Sequence, residues 1–237
     1  MKNIVLPDAK ERKLTFYLAM EEYVAGAFEE DCVFVWRVAP TVIIGRNQDM
    51  EAEVNMDYCR SNGVRVVRRK SGGGCVYADR GNIMISYVSS RGDVSDVFDR
   101  YLSALTGVLE SLGLEAVRSE RNDVLVGGRK VSGNAVQMLP DRSVVHGTLL
   151  YDTDMDALEE AVNPPYEKLE RHGVASVRQR VVNLADLIED GRVTSVEELE
   201  EYLVSSLADE SVVLTYSQVE EIGRMASEYE EYNNLLS

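Results

Sequence analysis

With 237 residues, 45% of them apolar, the chain is long enough to bury one sizeable globular core. Its formal net charge of −16, from 41 acids and 25 bases, argues against a nucleic-acid partner, whose phosphates require a basic surface. No apolar run of about 18 residues occurs, so neither a membrane-spanning helix nor a membrane partner is expected.

The cysteines are Cys32, Cys59 and Cys75, an odd set without a CxxC pair, which fits free thiols in a reducing cytoplasm. His146 and His172 are the only histidines, so a structural zinc site is not expected. The opening MKNIVLPDAKERK is charged and lacks an apolar h-region, so it does not read as a secretory signal. From Leu187 onward there are 13 acids and only 2 bases, which reads as solvated helix faces.

In chain order, residues 13–28 carry Leu14, Phe16, Tyr17, Met20, Val24 and Phe28 at near-helical spacing, which predicts an amphipathic helix. Residues 32–38 and 41–46 are apolar, β-branched runs separated by Ala39-Pro40, and are expected to be neighbouring strands. Residues 53–63 suggest a short helix ended by Gly63. A strand over 64–69 then breaks into Ser71-Gly72-Gly73-Gly74 and re-enters a strand over 82–88. Residues 95–113 predict a helix capped by Ser95, with Val97, Leu102, Leu105, Leu109 and Leu112 as its stripe. Strands follow at 114–120 and 123–137, the latter folded at Gly127-Gly128, and at 143–152. Segment 154–173 carries a short helix and Pro164-Pro165, and helices at 195–208 and 217–236 flank a strand at 211–216. Strands and helices without regular βαβ alternation point to an α+β, or mixed α/β, fold.

Five segments carry chemistry. The glycine triplet, preceded by Arg68, Arg69 and Lys70 and followed by Arg80, reads either as a cradle for an anion or as a hairpin bend with a basic rim. It is neither GxGxxG opening a helix nor a Walker loop. Lys130, in the strand pattern GRKVSGNA (128–135), is either an electrostatic stabiliser beside a phosphate or carboxylate, or an exposed strand lysine. Arg121-Asn122-Asp123 offers oxygen ligands for Mg²⁺ or is plain turn chemistry. His146 is either a hydrogen-bonded structural residue or a base, and Arg178 and Arg180 are suited to an anion or a partner.

Taken together, IGRNQ (44–48), RRKSGGGCVYADRGN (68–82), RND (121–123), GRKVSGNA (128–135), HGTLL (146–150) and SVRQRVVNL (176–184) resemble the lipoate–protein ligase family. The resemblance implies a biotin/lipoate ligase-like catalytic domain, a mixed, mainly antiparallel sheet flanked by helices. It implies one domain over 1–237, with a core over about 14–187 and an acidic helical portion over 188–237. The implied reaction has two steps. The lipoate carboxylate attacks the α-phosphorus of ATP, and the resulting lipoyl-AMP is then attacked by a lysine of an acceptor. Lys130 would be the catalytic residue, stabilising charge on both the phosphate and the carbonyl. Arg46, Arg69, Ser71, Gly72, Gly73, Gly74, Cys75, Val76 and Tyr77, with Asn122, Asp123, Ser132, Gly133, His146 and Gly147, would surround the adenylate and acyl chain. Asp123 would bind Mg²⁺. The implied acceptors are lipoyl domains of 2-oxoacid dehydrogenase complexes or the glycine-cleavage H protein, with a separate small accessory protein as a further partner.

Three departures from the family pattern stand out. Ala78 occupies the position where a histidine is usual, Cys75 replaces a small alanine, and the chain ends soon after the catalytic segments. The competing readings are an octanoyl or lipoyl transferase between carrier proteins, a biotin ligase, and a non-catalytic binding protein. No cysteine follows Lys130, which disfavours a thioester route, and the GRGRxGR-type biotin ligase loop is missing.

Overall fold

The computed structural model describes residues 1–90, 92–162, 180–189 and 191–234. The short helix expected in segment 154–173 is present at Met155–Ala161, whereas Pro164-Pro165 and Ser176–Gln179 lie outside the described residues.

The architecture is mixed α/β and is built on a six-stranded sheet. Its strands are β1 (Lys2–Val5), β2 (Cys32–Trp36), β6 (Asn82–Ser90), β10 (Asn134–Met138), β11 (Arg142–Leu150) and β12 (Glu210–Val213), in the order β10-β11-β6-β2-β1-β12. β10, β11, β6 and β2 pair antiparallel, and β2-β1-β12 run parallel. A three-stranded sheet of β4 (Arg65–Arg68), β3 (Thr41–Ile44) and β5 (Val76–Ala78) carries the glycine loop between β4 and β5. A second one, β7 (Ala116–Arg118), β8 (Val124–Val126) and β9 (Arg129–Ser132), carries Lys130.

The six-stranded sheet is covered on both faces, which explains why β6 reads as a nearly continuous apolar run. On one face Ile83, Ile85 and Tyr87 join a cluster with Val97, Leu105 and Leu109 of α4 (Val94–Ser111) and Leu199 and Leu203 of α6 (Val196–Leu207). On the other, Met84 and Val88 meet α1 (Leu14–Ala27) and α7 (Tyr216–Asn234). Burying each Leu, Ile or Phe in these layers contributes about 1.5–3 kcal/mol. A third cluster packs α2 (Met50–Glu53), α3 (Met56–Ser61) and α5 (Met155–Ala161) on the small sheet of β3, β4 and β5.

The stripe of α4 is as predicted, and all five of its apolar residues are buried. Its cap is not, because the helix starts at Val94, with Asp93 in the cap position and Ser95 inside the first turn. The runs at 32–36 and 41–44 are strands but not neighbours, since β2 joins the large sheet and β3 the small one. Pro40, which has no N–H to donate, marks the crossing, and its carbonyl accepts from Arg65 in β4. The helix expected over 53–63 is α3, which Asn55 caps at its start and which gives way, as expected, to Gly63 at φ 67°; α2 is a separate single turn before it. β1 was hidden in the charged N-terminal stretch.

The acidic C-terminal portion is woven into the same structure. β12 extends the large sheet beside β1, and α7 packs Ile222, Ala226 and Tyr229 against the α1 layer. A reciprocal cap starts α7, because Thr215 N–H donates to Gln218 Oε1 and Gln218 N–H to Thr215 Oγ1.

Candidate active site

The glycine loop is shaped from within by two buried arginines. Arg68 donates to the carbonyls of Gly45, Arg46 and Gln48, fixing the segment after β3. Arg69 donates to the carbonyls of Ile43, Gly72 and Gly74 and to Ser71 Oγ. Burial lowers the Arg69 pKa to about 10, so the side chain stays cationic at neutral pH. The loop carbonyls thus turn toward a buried charge while Gly72, Gly73 and Gly74 remain exposed. Of these three, only Gly73 is left-handed, at φ 92°. Its carbonyl oxygen lies 2.1 Å from where a Cβ on Gly45 would stand, so GRNQ and the triplet pack backbone to backbone. That contact requires glycine at 45.

A buried hydrogen-bond chain ties the loop to the large sheet. Trp36 Nε1 donates to Ser86 Oγ (2.9 Å), and Ser86 Oγ donates to Glu21 Oε1 (2.6 Å). His146 Nδ1 lies 3.1 Å from Glu21 Oε2, and its Nε2 lies 2.6 Å from Ser71 Oγ. Arg69 Nε donates to Ser71 Oγ (3.1 Å). In the Nδ1–H tautomer of His146, Ser71 donates to Nε2 and Nδ1–H donates to Glu21, which accepts at both oxygens. Ser71 and His146 were singled out in the sequence, whereas Glu21, Ser86 and Trp36 were not. A signal for Glu21 existed, because it falls between Tyr17 and Val24 on the apolar stripe of α1, where a charge needs a reason.

Lys130 is presented by a hairpin. Gly127 and Gly128 turn it at φ 58° and 77°, which places Lys130 in β9 across from Leu125 in β8. Lys130 Nζ pairs with Asp123 Oδ1 at 2.9 Å, and the two side chains are 32% and 22% exposed. The lysine folds over Gly133, where a Cβ would lie 2.5 Å from Nζ. The Lys130 carbonyl accepts from Val182 N–H, so the described end of the 176–184 motif runs alongside. Asn122, at φ 62°, is the one non-glycine residue with positive φ among the described residues, and its carbonyl accepts from Asn134 Nδ2.

β10 and β11 bring these parts together. Gly133 and Thr148 exchange hydrogen bonds, and buried Ser132 Oγ donates to Asn134 Oδ1 (3.2 Å). A Cβ on Gly73 would lie 3.4 Å from Ala135 Cβ, so the triplet abuts the strand two residues beyond Gly133. Gly147 is held so closely by Asn134 and Tyr101 that a Cβ would lie 2.1 and 2.4 Å from their polar atoms.

The remaining predicted residues fall around this centre. Arg46 is exposed, while Val76 and Tyr77 lie in β5 beside Ile43 and Val42. Cys75 is half-buried and burial pushes its thiol up to about 12, which disfavours a reactive thiolate. Ala78 is fully buried in the apolar layer shared with α1. Much of the basic rim is engaged, with Lys70 paired to Glu22, Arg80 to Glu11, and Arg68 turned inward. Arg178 lies outside the described residues, and Arg180 is exposed.

Among the described residues no group of three or more His, Cys, Asp or Glu could hold a metal ion. Asp123 is a single, partly exposed carboxylate, which fits an Mg²⁺ that arrives bound to phosphates and takes only one or two protein carboxylates. Among those residues no helix is long and apolar enough to cross a membrane.

Residues 13–208 match the family model of the lipoyl protein ligase A/B catalytic domain. The chain is 38% identical over 190 residues to lipoate-protein ligase LplJ of Bacillus subtilis, covering 79% of this chain and 57% of that protein. It is 35% identical over 210 residues to lipoate–protein ligase 1 of Staphylococcus aureus, covering 87% and 63%. It therefore spans about three-fifths of those relatives' length. Among solved structures, a bi-partite lipoate protein ligase of Thermoplasma acidophilum, described with its E2 lipoyl domain, aligns at TM-score 0.83 and 29% identity over 98% of this chain and 95% of that one. A lipoate protein ligase of the same organism with bound lipoic acid aligns at 0.81 and 27% over 98% of both chains. A lipoate-protein ligase A bound with ATP aligns at 0.80 and 26% over 97% and 95%.

Proposed function

The chain belongs to the lipoyl protein ligase A/B catalytic domain family, and from that premise we propose that it joins lipoate to a lysine of a lipoyl domain at the expense of ATP. In the first step the lipoate carboxylate attacks the α-phosphorus and pyrophosphate leaves. In the second the acceptor amine attacks the acyl carbonyl and AMP leaves. Both steps build negative charge on oxygen, which preorganised cations and N–H groups stabilise.

The carrying observation is the placement of Lys130. Its ammonium folds over Gly133, two residues from the point where the exposed glycine triplet meets β10. Lys130 is the group that spans phosphate and carbonyl, leaving Asp123 when the anion arrives. With the carbonyls of Gly72 and Gly74 drawn to Arg69, the loop's N–H groups are those that face the adenylate. Asp123, with Asn122, would hold the Mg²⁺ that accompanies the triphosphate, and the ion would supply further charge neutralisation. The relatives bound to lipoic acid and to ATP support these two substrates, and the one described with an E2 lipoyl domain supports that class of acceptor. The free thiols suit a cytoplasmic enzyme.

The test supplies ATP, Mg²⁺, lipoate and an apo lipoyl domain, then weighs the acceptor and measures pyrophosphate. A mass gain with pyrophosphate release is expected. No gain and no pyrophosphate would sink autonomous ligation, and gain only from an acylated carrier protein would make the chain a transferase. Activity only after adding a small accessory protein would make it one half of a split ligase.

A further inference from the structure

The glycine loop has a second anchor, on the C-terminal helix. β4 is an edge strand of its sheet, so one side of its backbone has no strand partner. On that side Arg68 N–H donates to Asn233 Oδ1 (2.6 Å), and Asn233 Nδ2 donates back to the Arg68 carbonyl (3.2 Å). The side-chain amide therefore takes the place of a neighbouring strand. One alternation further on, Lys70 N–H donates to Tyr229 Oη (2.9 Å), and Lys70 Nζ lies 4.6 Å above the Tyr229 ring. Between them Arg69 N–H turns the other way, to the Ile44 carbonyl. Ile222, Ala226, Tyr229 and Asn233 lie on one face of α7, so burial of that face sets the two polar groups against β4. Lys13 Nζ and Thr15 Oγ1 both reach Glu230, which fixes the helix to the start of α1.

We propose that α7 is a positioning element of the loop, with Asn233 and Tyr229 as its positioning residues. They fix the backbone on either side of Arg69, the residue whose guanidinium gathers the carbonyls of Gly72 and Gly74. A shift at 68 or 70 moves that guanidinium and with it the loop. The C-terminal portion thus bears on the site through the backbone of β4. The consequence for catalysis rests on the ligase reading, whereas the consequence for the loop does not.

The experiment compares the full chain with Asn233→Ala and with Tyr229→Phe, which removes one oxygen and keeps the ring under Lys70. Hydrogen exchange is followed over residues 68–76, with peptides from β6 and β11 as internal reference. Loss of one such hydrogen bond is expected to speed exchange at residues 68–76 about five- to tenfold, with the reference peptides unchanged. Where pyrophosphate release is measured, KM for ATP rises by a similar factor while kcat changes less. Unchanged loop exchange in both variants, or acceleration spread evenly over the reference strands, overturns the proposal. If Asn233→Ala does not fold, Tyr229→Phe decides alone. If the wild-type chain releases no pyrophosphate, alone or with an accessory protein, the ligase reading fails and exchange still decides the coupling.

Discussion

Lys130 Nζ and Asp123 Oδ1 stand 2.9 Å apart, brought together by the two-glycine turn between β8 and β9. Both side chains remain partly exposed, so the pair itself contributes only about 0–1 kcal/mol to stability. Lys130→Ala should therefore leave the melting temperature within about 4 °C of wild type. Pyrophosphate release should fall about 10²–10³-fold, as expected when a preorganised charge stabiliser is removed. Near-normal turnover in this variant would refute the role given to Lys130.

Asp123→Asn separates the two duties proposed for that carboxylate. It frees Lys130 at little cost to the fold, since an exposed pair is weak. It also removes the carboxylate paired with Lys130, which suits Mg²⁺. The expected result is a rise in the Mg²⁺ and ATP concentrations needed for half-maximal pyrophosphate release. Acyl transfer from preformed lipoyl-AMP should be affected less. Equal losses in both half-reactions would show that Asp123 acts on Lys130 rather than on the metal nucleotide.

Two glycine substitutions should part stability from activity. A Cβ on Gly45 meets the Gly73 carbonyl at 2.1 Å, and neither backbone can yield without unseating the loop. Gly45→Ala should cost about 1–3 kcal/mol, as overpacking does, and lower the melting temperature by several degrees. A Cβ on Gly133 meets the end of the Lys130 side chain at 2.5 Å, which is flexible. Gly133→Ala should fold like wild type but displace the ammonium, so that kcat drops. Calorimetry and pyrophosphate release on the pair check this. Equal losses of stability would contradict it.

What the sequence revealed, and what it withheld, follows from how each signal is encoded. The stripe of α4 and the Gly127-Gly128 turn are local patterns, and both are present in the structure. The pairing of β2 with β6 rather than with β3 depends on partners 48 to 56 residues away in sequence, which no local pattern encodes. Lys130 and the glycine loop were legible as motifs, but not that Arg68 and Arg69 would turn inward, because a basic run looks the same whether it faces solvent or carbonyls. The role of Asn233 was hidden for the same reason, since its partner is the backbone of a distant edge strand.

The chain through Glu21 and His146 makes a stability prediction. Glu21 accepts at both carboxylate oxygens while almost fully buried. Glu21→Gln keeps the shape but points an NH₂ group at another donor, leaving buried polar groups unsatisfied. That costs about 1–3 kcal/mol, and each kcal/mol lowers the melting temperature by about 2–4 °C in a protein of this size. Because the chain ends on Ser71, exchange at the loop amides should also rise. Thermal melts with hydrogen exchange test it, and a variant as stable as wild type would mean that the chain contributes no net stability.

Cys75 sits next to the triplet, where a reactive thiol would change the chemistry of the site. Burial pushes its thiol up to about 12. At pH 8 the thiolate fraction is then only about one in 10⁴, against about one in four for an ordinary thiol near 8.5. Folding favours the protonated form. The stabilisation this gives is fully present below the ordinary thiol range and is lost as pH rises toward the folded value. Iodoacetamide at pH 8 should therefore leave Cys75 unmodified in the folded chain and alkylate it readily in urea, as read by peptide mass. Its folded-state rate should climb with pH through the range 8 to 10 without levelling off. Cys75→Ala should retain full pyrophosphate release. Rapid alkylation at pH 8, or loss of turnover in the alanine variant, would mean that the thiol takes part in the reaction after all.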